Sequence, residues 1–140
     1  MSSDPRRYRH TIRVRYGEVD AQGVVFNAHW LTYFDEASTR FFDWMGFPPA
    51  VAFFEHFDVM VVKAVLEWEG PAGFDDDVAI AVVPTRLGNA SFDITYTASV
   101  LGVPACTGVI TYVSVVPGTH DTTPIPAMLR DKLEAVAATQ

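Results

Sequence analysis

The amino-acid sequence predicts an α+β domain in which one antiparallel sheet packs against one long helix. The first observation is the segment 28–45, whose apolar residues recur with the period of a helix. The second is a series of four later runs with strand character, joined by short connections that favour antiparallel hairpins. One helix on one face of such a sheet is an α+β architecture. A chain of 140 residues suits a single domain, which we expect to span residues 1–140.

A half-buried strand is predicted over residues 10–16, where apolar and polar side chains alternate. The alternation places Ile12, Val14 and Tyr16 on one face of the strand. Glycines at positions 17 and 23 follow, so we expect the backbone to turn before the long helix begins.

The long helix is predicted to begin after Asn27, which is a good N-cap residue, and to cover residues 28–45. Gly46 is placed to end it, and the two prolines that follow shortly after prevent its continuation. The apolar stripe contains Leu31, Phe34, Ser38, Phe41 and Met45, with Trp30, Ala37 and Trp44 beside it. Because so much aromatic area needs cover, we expect this helix to lie buried against the sheet.

Strand patterns dominate the second half of the chain. The predicted strands cover residues 59–69, 78–87, 91–100 and 105–116, and an amphipathic helix over 127–138 closes the chain. A short link over 50–57 precedes the first of them, and a helical turn is one option for this link. With one long helix, parts of the sheet and its edges would lie open, so we expect a homodimer or a homotetramer.

Composition and charge exclude several classes of function. The formal net charge is −7 and no basic run occurs, which argues against nucleic-acid binding. The apolar runs are too short to span a membrane, and the N-terminus lacks the apolar core of a secretory signal. Cys106, the single cysteine, lies in a strand-like apolar run, so we expect a buried thiol and a reducing, cytoplasmic location.

The sequence motifs of several common enzyme classes are missing. There is no G-x-G-x-x-G motif, no phosphate-binding P-loop and no G-x-S-x-G nucleophile elbow. The four histidines, His10, His29, His56 and His120, are widely separated and lack neighbours at metal-ligand spacing. We therefore expect neither a metal ion nor a cofactor.

The segment between the first strand and the long helix is the best candidate for chemistry. Asp20 lies there in a glycine-flanked turn that leads to the N-terminus of the helix, whose free N–H groups can stabilise an oxyanion. A nearby carboxylate could activate water or attack a carbonyl directly. An Asp in such a turn is more often only a turn residue. Glu18 and Asp35 are further carboxylates, although a solvated role is commoner for each, and Asn27 is more often only a cap.

The stretch RVRYGEVDAQGVVFNAHWLTYFDEASTRFFDWMG resembles the opening of the 4-hydroxybenzoyl-CoA thioesterase family, which includes YbgC-like and FadM-like acyl-CoA thioesterases. The positions of the family's opening motif are matched by Tyr16, Asp20, Gly23, Val25 and Asn27. Weaker matches continue through WEGPAGFDDDVAI, TRLGNASFDITYTA and the segment ACTGVITYVSV with its tail, so the resemblance covers about nine-tenths of the chain. It implies the hotdog fold, in which a sheet wraps around one long helix.

The resemblance also implies an acyl-CoA thioesterase activity and roles for particular residues. Asp20 matches the catalytic carboxylate, acting as general base or as nucleophile, and the backbone N–H of Asn27 matches the donor that polarises the thioester carbonyl. The site would lie at a dimer interface, with the partner's strand that begins at 59–63 lining the acyl pocket. Some relatives carry His at the position of Asn27. His29 lies two residues later in this sequence, so no role of that His is transferred to it.

Residues around this segment are the candidates for substrate binding. They are Gly23, Val25, Phe26, His29, Trp30, Lys63 and Arg86. The candidate cations for the phosphates of coenzyme A are Lys63, Arg86, Arg130 and Lys132, although a solvated surface charge is the commoner role for each. Tyr33 and Phe34 could also line an apolar acyl pocket, although aromatic residues on a buried helix are usually core. The sequence does not separate an aromatic acyl group from an aliphatic one.

Two alternatives to a thioesterase follow from the same fold. A hotdog dehydratase would pair a catalytic His with an acid such as Asp35 or Glu36, but the turn before the helix offers no His. A non-catalytic module that binds acyl-CoA or an acyl-carrier protein could reuse the fold, because fold alone does not fix function.

Overall fold

The computed structural model describes residues 7–49 and 57–137. Its strands are β1 (Tyr8–Arg13), β2 (Asp58–Trp68), β3 (Asp77–Leu87), β4 (Ser91–Val100) and β5 (Val103–Val115), and its helices are α1 (His29–Trp44) and α2 (Ala127–Ala137). A single 3-10 turn, Tyr16–Glu18, follows β1. The predicted link over 50–57 lies outside the described residues except for Phe57, which is buried in the core.

The five strands form one antiparallel sheet in the order β1-β3-β4-β5-β2. The predicted α+β architecture and the short hairpins between β3, β4 and β5 are therefore confirmed. β2 follows α1 in the chain but lies at the far edge of the sheet, paired with β5. Its register shifts between Val61 and Lys63, which leaves one extra residue in β2 and bends the strand locally.

The core lies between α1 and the inner face of the sheet. Phe34 of α1 is fully buried and stacks on Tyr96 of β4 with the ring centroids 5.2 Å apart. Opposite these rings β5 carries Gly108, where a Cβ atom would come within 2.6 Å of the Phe34 ring. A glycine is therefore needed at this position for the helix to lie this close to the sheet.

The buried face of α1 is wider than the predicted stripe. Tyr33 and Phe42 are buried, whereas Leu31 is 43% exposed although the stripe includes it. The difference arises because segments beside the sheet also cover the helix. Tyr33 donates its hydroxyl to Glu18 after β1, and Phe42 packs against Phe57 with ring centroids 6.0 Å apart. Gly46, with a φ of +102°, ends α1 as predicted.

The first strand is two residues longer at its start than predicted and three residues shorter at its end. Tyr16, predicted on the buried face, is 78% exposed because the backbone has already entered the 3-10 turn. Its ring contacts the exposed ring of Phe74 edge-on, with centroids 5.9 Å apart. Ile12 packs against the core and Val14 lies within it, so the predicted alternation is confirmed up to Val14.

Candidate active site

Residues 18–26 form a small hairpin between β1 and α1. The Phe26 N–H donates to the Glu18 carbonyl at 3.0 Å, and the Asp20 N–H donates to the Val24 carbonyl at 2.9 Å. The two arms also meet in an isolated antiparallel bridge between these hydrogen bonds. One arm thus carries Asp20, and the other leads directly into the first residues of α1.

Asp20 lies at the turn of this hairpin and is partly buried. Its carbonyl accepts the Gly23 N–H at 2.9 Å, and its carboxylate Oδ1 accepts the Gln22 N–H at 2.8 Å. Gly23 has a φ of +79°, in the left-handed region that favours glycine. The turn expected from the sequence is therefore present, and the other carboxylate oxygen, Oδ2, receives no hydrogen bond from the part of the chain that is described.

The start of α1 differs from the predicted side-chain cap. The N-cap position is Ala28, with helical angles (φ −68°, ψ −25°) and no side-chain cap. Instead, the His29 N–H donates to the Phe26 carbonyl at 2.9 Å and the Trp30 N–H to the Asn27 carbonyl at 3.4 Å. The prediction of an Asn27 side-chain cap was wrong, because the chain enters the helix through a backbone turn that satisfies these amides first.

Two backbone donors remain available at this helix start. The N–H groups of Asn27 and Ala28 have no acceptor among residues 7–49 and 57–137, and both residues are exposed. Free N–H groups in the first turn lie at the positive end of the helix dipole, where they can hold a developing oxyanion. The helix therefore offers donors immediately after the hairpin that carries Asp20.

Glu18, for which the sequence favours a solvated role, is buried instead, with 8% of its surface exposed. Oε1 accepts the Tyr33 hydroxyl at 2.8 Å and the Arg15 backbone N–H at 2.8 Å. Oε2 accepts two N–H groups of the Arg15 guanidinium at 2.8 and 3.2 Å. Sequence reasoning missed this network because Tyr33 is distant in the chain, and only the folded hairpin brings the two side chains together.

The pKa of Glu18 reflects these partners. Burial is the largest single influence and acts to raise the pKa, but the hydrogen bonds from Arg15 and Tyr33 together outweigh it and hold the pKa below its ordinary value. Glu18 is therefore ionised at neutral pH, and its charge is compensated within the network rather than by solvent.

Cavities border α1 on two sides. Between α1 and β1 lies one of about 590 Å³ with a mainly polar lining that includes Glu18. Between α1 and the strands β2 and β5 lie two smaller cavities, of about 320 and 210 Å³, that share Asp35, Val61 and Tyr112 as lining residues. Ala28 lines the 320 Å³ cavity, so the start of α1 opens onto a groove with an apolar character.

The predicted binding residues close to the helix start divide into two groups. Val25 and Trp30 are buried, at 3% and 2% exposure, and the Trp30 ring packs edge-on against Tyr33 at 5.6 Å between centroids. Phe26 is 49% exposed and contacts His29 edge-on with ring centroids 6.0 Å apart. Phe26 and His29 therefore flank the start of α1 at the surface, whereas Trp30 lies in the core.

Lys63 and Arg86, the predicted phosphate-binding cations, lie in one row across the outer face of the sheet. The strand register pairs Lys63 with Thr111, Thr111 with Asp93, and Asp93 with Arg86. The Arg86 Nε atom lies 3.1 Å from a carboxylate oxygen of Asp93, which offsets its charge. Arg130, a further candidate, is hydrogen-bonded to the turn between β3 and β4.

Residues 7–49 and 57–137 also bear on metal binding, membrane spanning and thiol chemistry. No cluster of three or more His, Cys, Asp or Glu side chains in these ranges could hold a metal ion. Over the same ranges, the helices are too short or too polar to cross a membrane. Cys106 is buried as predicted, and burial raises the pKa of its thiol to about 11, so it is a protonated and weak nucleophile at neutral pH.

Comparisons of the sequence with known proteins point to one family. The family model described as the thioesterase-like superfamily matches residues 14–133. A putative esterase from Aquifex aeolicus is 30% identical over 84 residues, which are 60% of this chain and 66% of that protein, just under two thirds. A 1,4-dihydroxy-2-naphthoyl-CoA hydrolase from Synechococcus elongatus is 27% identical over 126 residues, 89% of this chain and 93% of that protein.

Comparison of the structure with solved structures points to the same family. A gentisyl-coenzyme A thioesterase superposes with a TM-score of 0.82 and 25% identity, covering 90% of this chain and 99% of the other. The predicted hotdog fold, with its sheet wrapped around one long helix, is therefore confirmed, as is the resemblance on which it rested.

Proposed function

The chain belongs to the thioesterase-like superfamily, and we propose that it is a single-domain acyl-CoA thioesterase with Asp20 as its catalytic carboxylate. It hydrolyses an acyl-CoA thioester to a free carboxylic acid and CoA. The names of the cyanobacterial hydrolase and of the gentisyl-CoA thioesterase support the choice of an acyl-CoA substrate.

The observation that carries this proposal is the pair of groups at the hairpin and the helix start. Asp20 has a carboxylate oxygen without a donor in the described chain, and Asn27, one residue beyond the hairpin, has a backbone N–H without an acceptor there. The N–H of Asn27 polarises the thioester carbonyl and holds the oxyanion. Asp20 either takes a proton from water, whose oxygen bonds to the carbonyl carbon, or bonds to that carbon itself. The oxyanion then collapses, the C–S bond breaks, and CoA leaves as a thiolate that takes up a proton. In the second route the product is a mixed anhydride with Asp20, which water hydrolyses to release the acid.

The acyl group enters the groove between α1 and the strands β2 and β5. This groove begins at Ala28, beside the donor N–H groups, and Leu31, Val61 and Ile110 give it an apolar lining. Asp35 and Tyr112 add polar atoms to that lining. Gly23, Val25 and Trp30 shape the site from the hairpin and the core, while Phe26 and His29 flank its entrance.

The phosphates of coenzyme A would be bound by cations, for which Lys63 and Arg86 are the candidates. Their common row across the sheet supports treating them as one surface. Replacing Lys63 or Arg86 with Ala is expected to raise KM and leave kcat nearly unchanged, because a phosphate contact is the same in the ground state and the transition state. An unchanged KM in both variants would remove these residues from the site.

The active form is a homodimer that pairs through the edge strand β2. This strand exposes the apolar side chains Met60, Val61, Val62, Val65 and Trp68. A long edge with exposed apolar residues invites pairing with a second strand. Val61 also lines the acyl groove, so pairing there would place the partner beside the substrate. A tetramer would be a pair of such dimers.

A cytoplasmic location is part of the proposal. It is supported by the single buried thiol of Cys106 and by the acyl-CoA substrate. Fractionation of cells that carry a tagged chain tests it, and recovery outside the cytosolic fraction would count against it.

The experiment that tests the function is a panel of acyl-CoA thioesters with aromatic and aliphatic acyl groups, monitored by release of free thiol. Turnover of at least one member supports the thioesterase and reports its acyl preference. Tight binding without turnover would instead indicate a non-catalytic module. Addition of water across an enoyl-CoA, without thiol release, would indicate a dehydratase.

A further inference from the structure

We propose that Glu18 is a positioning residue that fixes the hairpin carrying Asp20 against the N-terminus of α1. This inference rests on the function proposed above and adds a residue to it. Glu18 lies two residues before Asp20. It accepts hydrogen bonds both from the opposite arm of the hairpin and from the helix. It therefore sets the distance between the catalytic carboxylate and the donor N–H of Asn27.

The first connection is made by the Glu18 backbone. Its carbonyl accepts the N–H of Phe26 at 3.0 Å, and Phe26 directly precedes Asn27. The Phe26 carbonyl in turn accepts the His29 N–H at 2.9 Å, which begins the turn into α1. A shift of Glu18 would therefore be passed to the residues that present the oxyanion donors.

The second connection is made by the Glu18 side chain. Oε1 accepts the hydroxyl of Tyr33 at 2.8 Å, and Tyr33, in the second turn of α1, is only 2% exposed. Burial, followed by the hydrogen bond to Glu18, raises the pKa of Tyr33, so its hydroxyl stays protonated and keeps donating. Because the Tyr33 ring is fixed by core packing, this bond ties the hairpin to a rigid part of the helix.

The remaining oxygen of the carboxylate is held from the side of β1. Arg15 donates to Oε2 through its guanidinium and to Oε1 through its backbone N–H. The carboxylate thus receives four hydrogen bonds, which fill its acceptor sites. With all four made, Glu18 is an anchor and has no free lone pair for reaction, in contrast to Asp20.

A role in stability alone is the competing explanation, since Glu18 also closes the 3-10 turn with Arg15. The two roles differ in what they change. Loss of a purely structural contact lowers the melting temperature but leaves the rate of the folded enzyme unaltered. Loss of a positioning contact lowers kcat of the folded enzyme, because a displacement of about 1 Å can cost about a hundredfold in rate.

Tyr33→Phe and Glu18→Gln are the variants that test this. Tyr33→Phe removes one hydrogen bond and keeps the ring, so it remains informative if Glu18→Gln folds poorly. We expect kcat to fall by about ten- to a hundredfold in each, with KM within about twofold of the wild type, at temperatures where melting curves show a folded protein. Tyr8→Phe, which removes the 3.5 Å contact of another tyrosine with His10, is the matched control and should keep its kcat.

The same two substitutions are then made in an Asp20→Asn background. Because Glu18 positions Asp20 as well as the donor N–H groups, we expect a smaller loss of kcat there than in the enzyme that retains Asp20, as residues that act as a unit are strongly non-additive. Unchanged kcat in both single variants, or a full additional loss in the Asp20→Asn background, would overturn the positioning role while leaving the thioesterase intact. An Asp20→Asn enzyme as active as the wild type would instead overturn the catalytic role proposed for Asp20, and the positioning role with it.

Discussion

Two carboxylates that lie two residues apart, Glu18 and Asp20, are given opposite environments by the fold. Glu18 is buried and accepts four hydrogen bonds, whereas Asp20 is partly buried and accepts one at its carboxylate, from Gln22. A saturated carboxylate suits an anchor, and one with a free oxygen suits a base or nucleophile. The sequence singled out Asp20 through its turn and its family motif, but nothing local distinguishes the burial of Glu18.

Glu18 should make the free energy of unfolding of the protein depend on pH. Its pKa is lower in the folded state than in the unfolded chain, so the ionised side chain stabilises the fold above the ordinary value of 4.5, and this contribution is lost as the pH falls through the folded pKa. We expect Glu18→Gln to lower the free energy of unfolding at pH 7, and the difference from the wild type to shrink below pH 4.5. Urea titrations across this range measure it; a difference that grows in acid would contradict the assignment.

Gly108 should not tolerate a side chain, because the Phe34 ring occupies the space where its Cβ would lie. We expect Gly108→Ala to destabilise the protein by about 1–3 kcal/mol, the usual cost of overpacking a core. Adding Phe34→Leu supplies space for the new methyl group. The double variant should therefore lose less stability than the two single variants lose in sum. Strictly additive losses in thermal or urea unfolding would show that this contact does not set the helix-to-sheet distance.

The end of helix α1 depends on backbone conformation more than on side-chain contacts. Gly46 has a φ of +102°, and an added Cβ would meet nothing within 4 Å. Gly46→Ala should therefore cost about 1 kcal/mol from the strained conformation alone. Gly17→Ala is the control, since Gly17 is also open but has no left-handed φ, and an equal loss of stability in both variants would contradict this account.

The sequence predicted the helices and strands well, because their periodic patterns extend over many residues and several of their ends carry glycine or proline. The sequence-based prediction was wrong where contacts between distant residues determine the local conformation. Tyr16 continues the alternation of β1 but lies exposed in the 3-10 turn, because Glu18 closes that turn by bonding back to Arg15. Asn27 has the chemistry of a cap, yet a backbone turn starts α1 in its place. The groove beside α1 could not be foreseen, since its lining comes from three separate elements.

The exposed edge of β2 predicts a dimer. Val62→Lys combined with Val65→Lys places charges on two side chains that are 59% and 46% exposed, so the monomer should fold while pairing is blocked. Analytical ultracentrifugation should then show a shift from dimer to monomer, and thiol release should fall because the proposed partner would border the groove. Val103→Lys, at an exposed position of β5, is the control. A double variant that remains dimeric would exclude β2 as the interface.

If Asp20 supplies the carboxylate for hydrolysis, the kcat of the Asp20→Asn variant should fall steeply. Asn keeps an oxygen that can accept the Gln22 N–H, so the turn and the fold should persist while the charge is lost. We predict a loss of kcat of about a thousandfold or more in thiol release from the best acyl-CoA of the panel. Asp131→Asn, on the exposed face of α2, should keep wild-type turnover. Wild-type turnover by a folded Asp20→Asn enzyme would exclude Asp20 as the catalytic carboxylate.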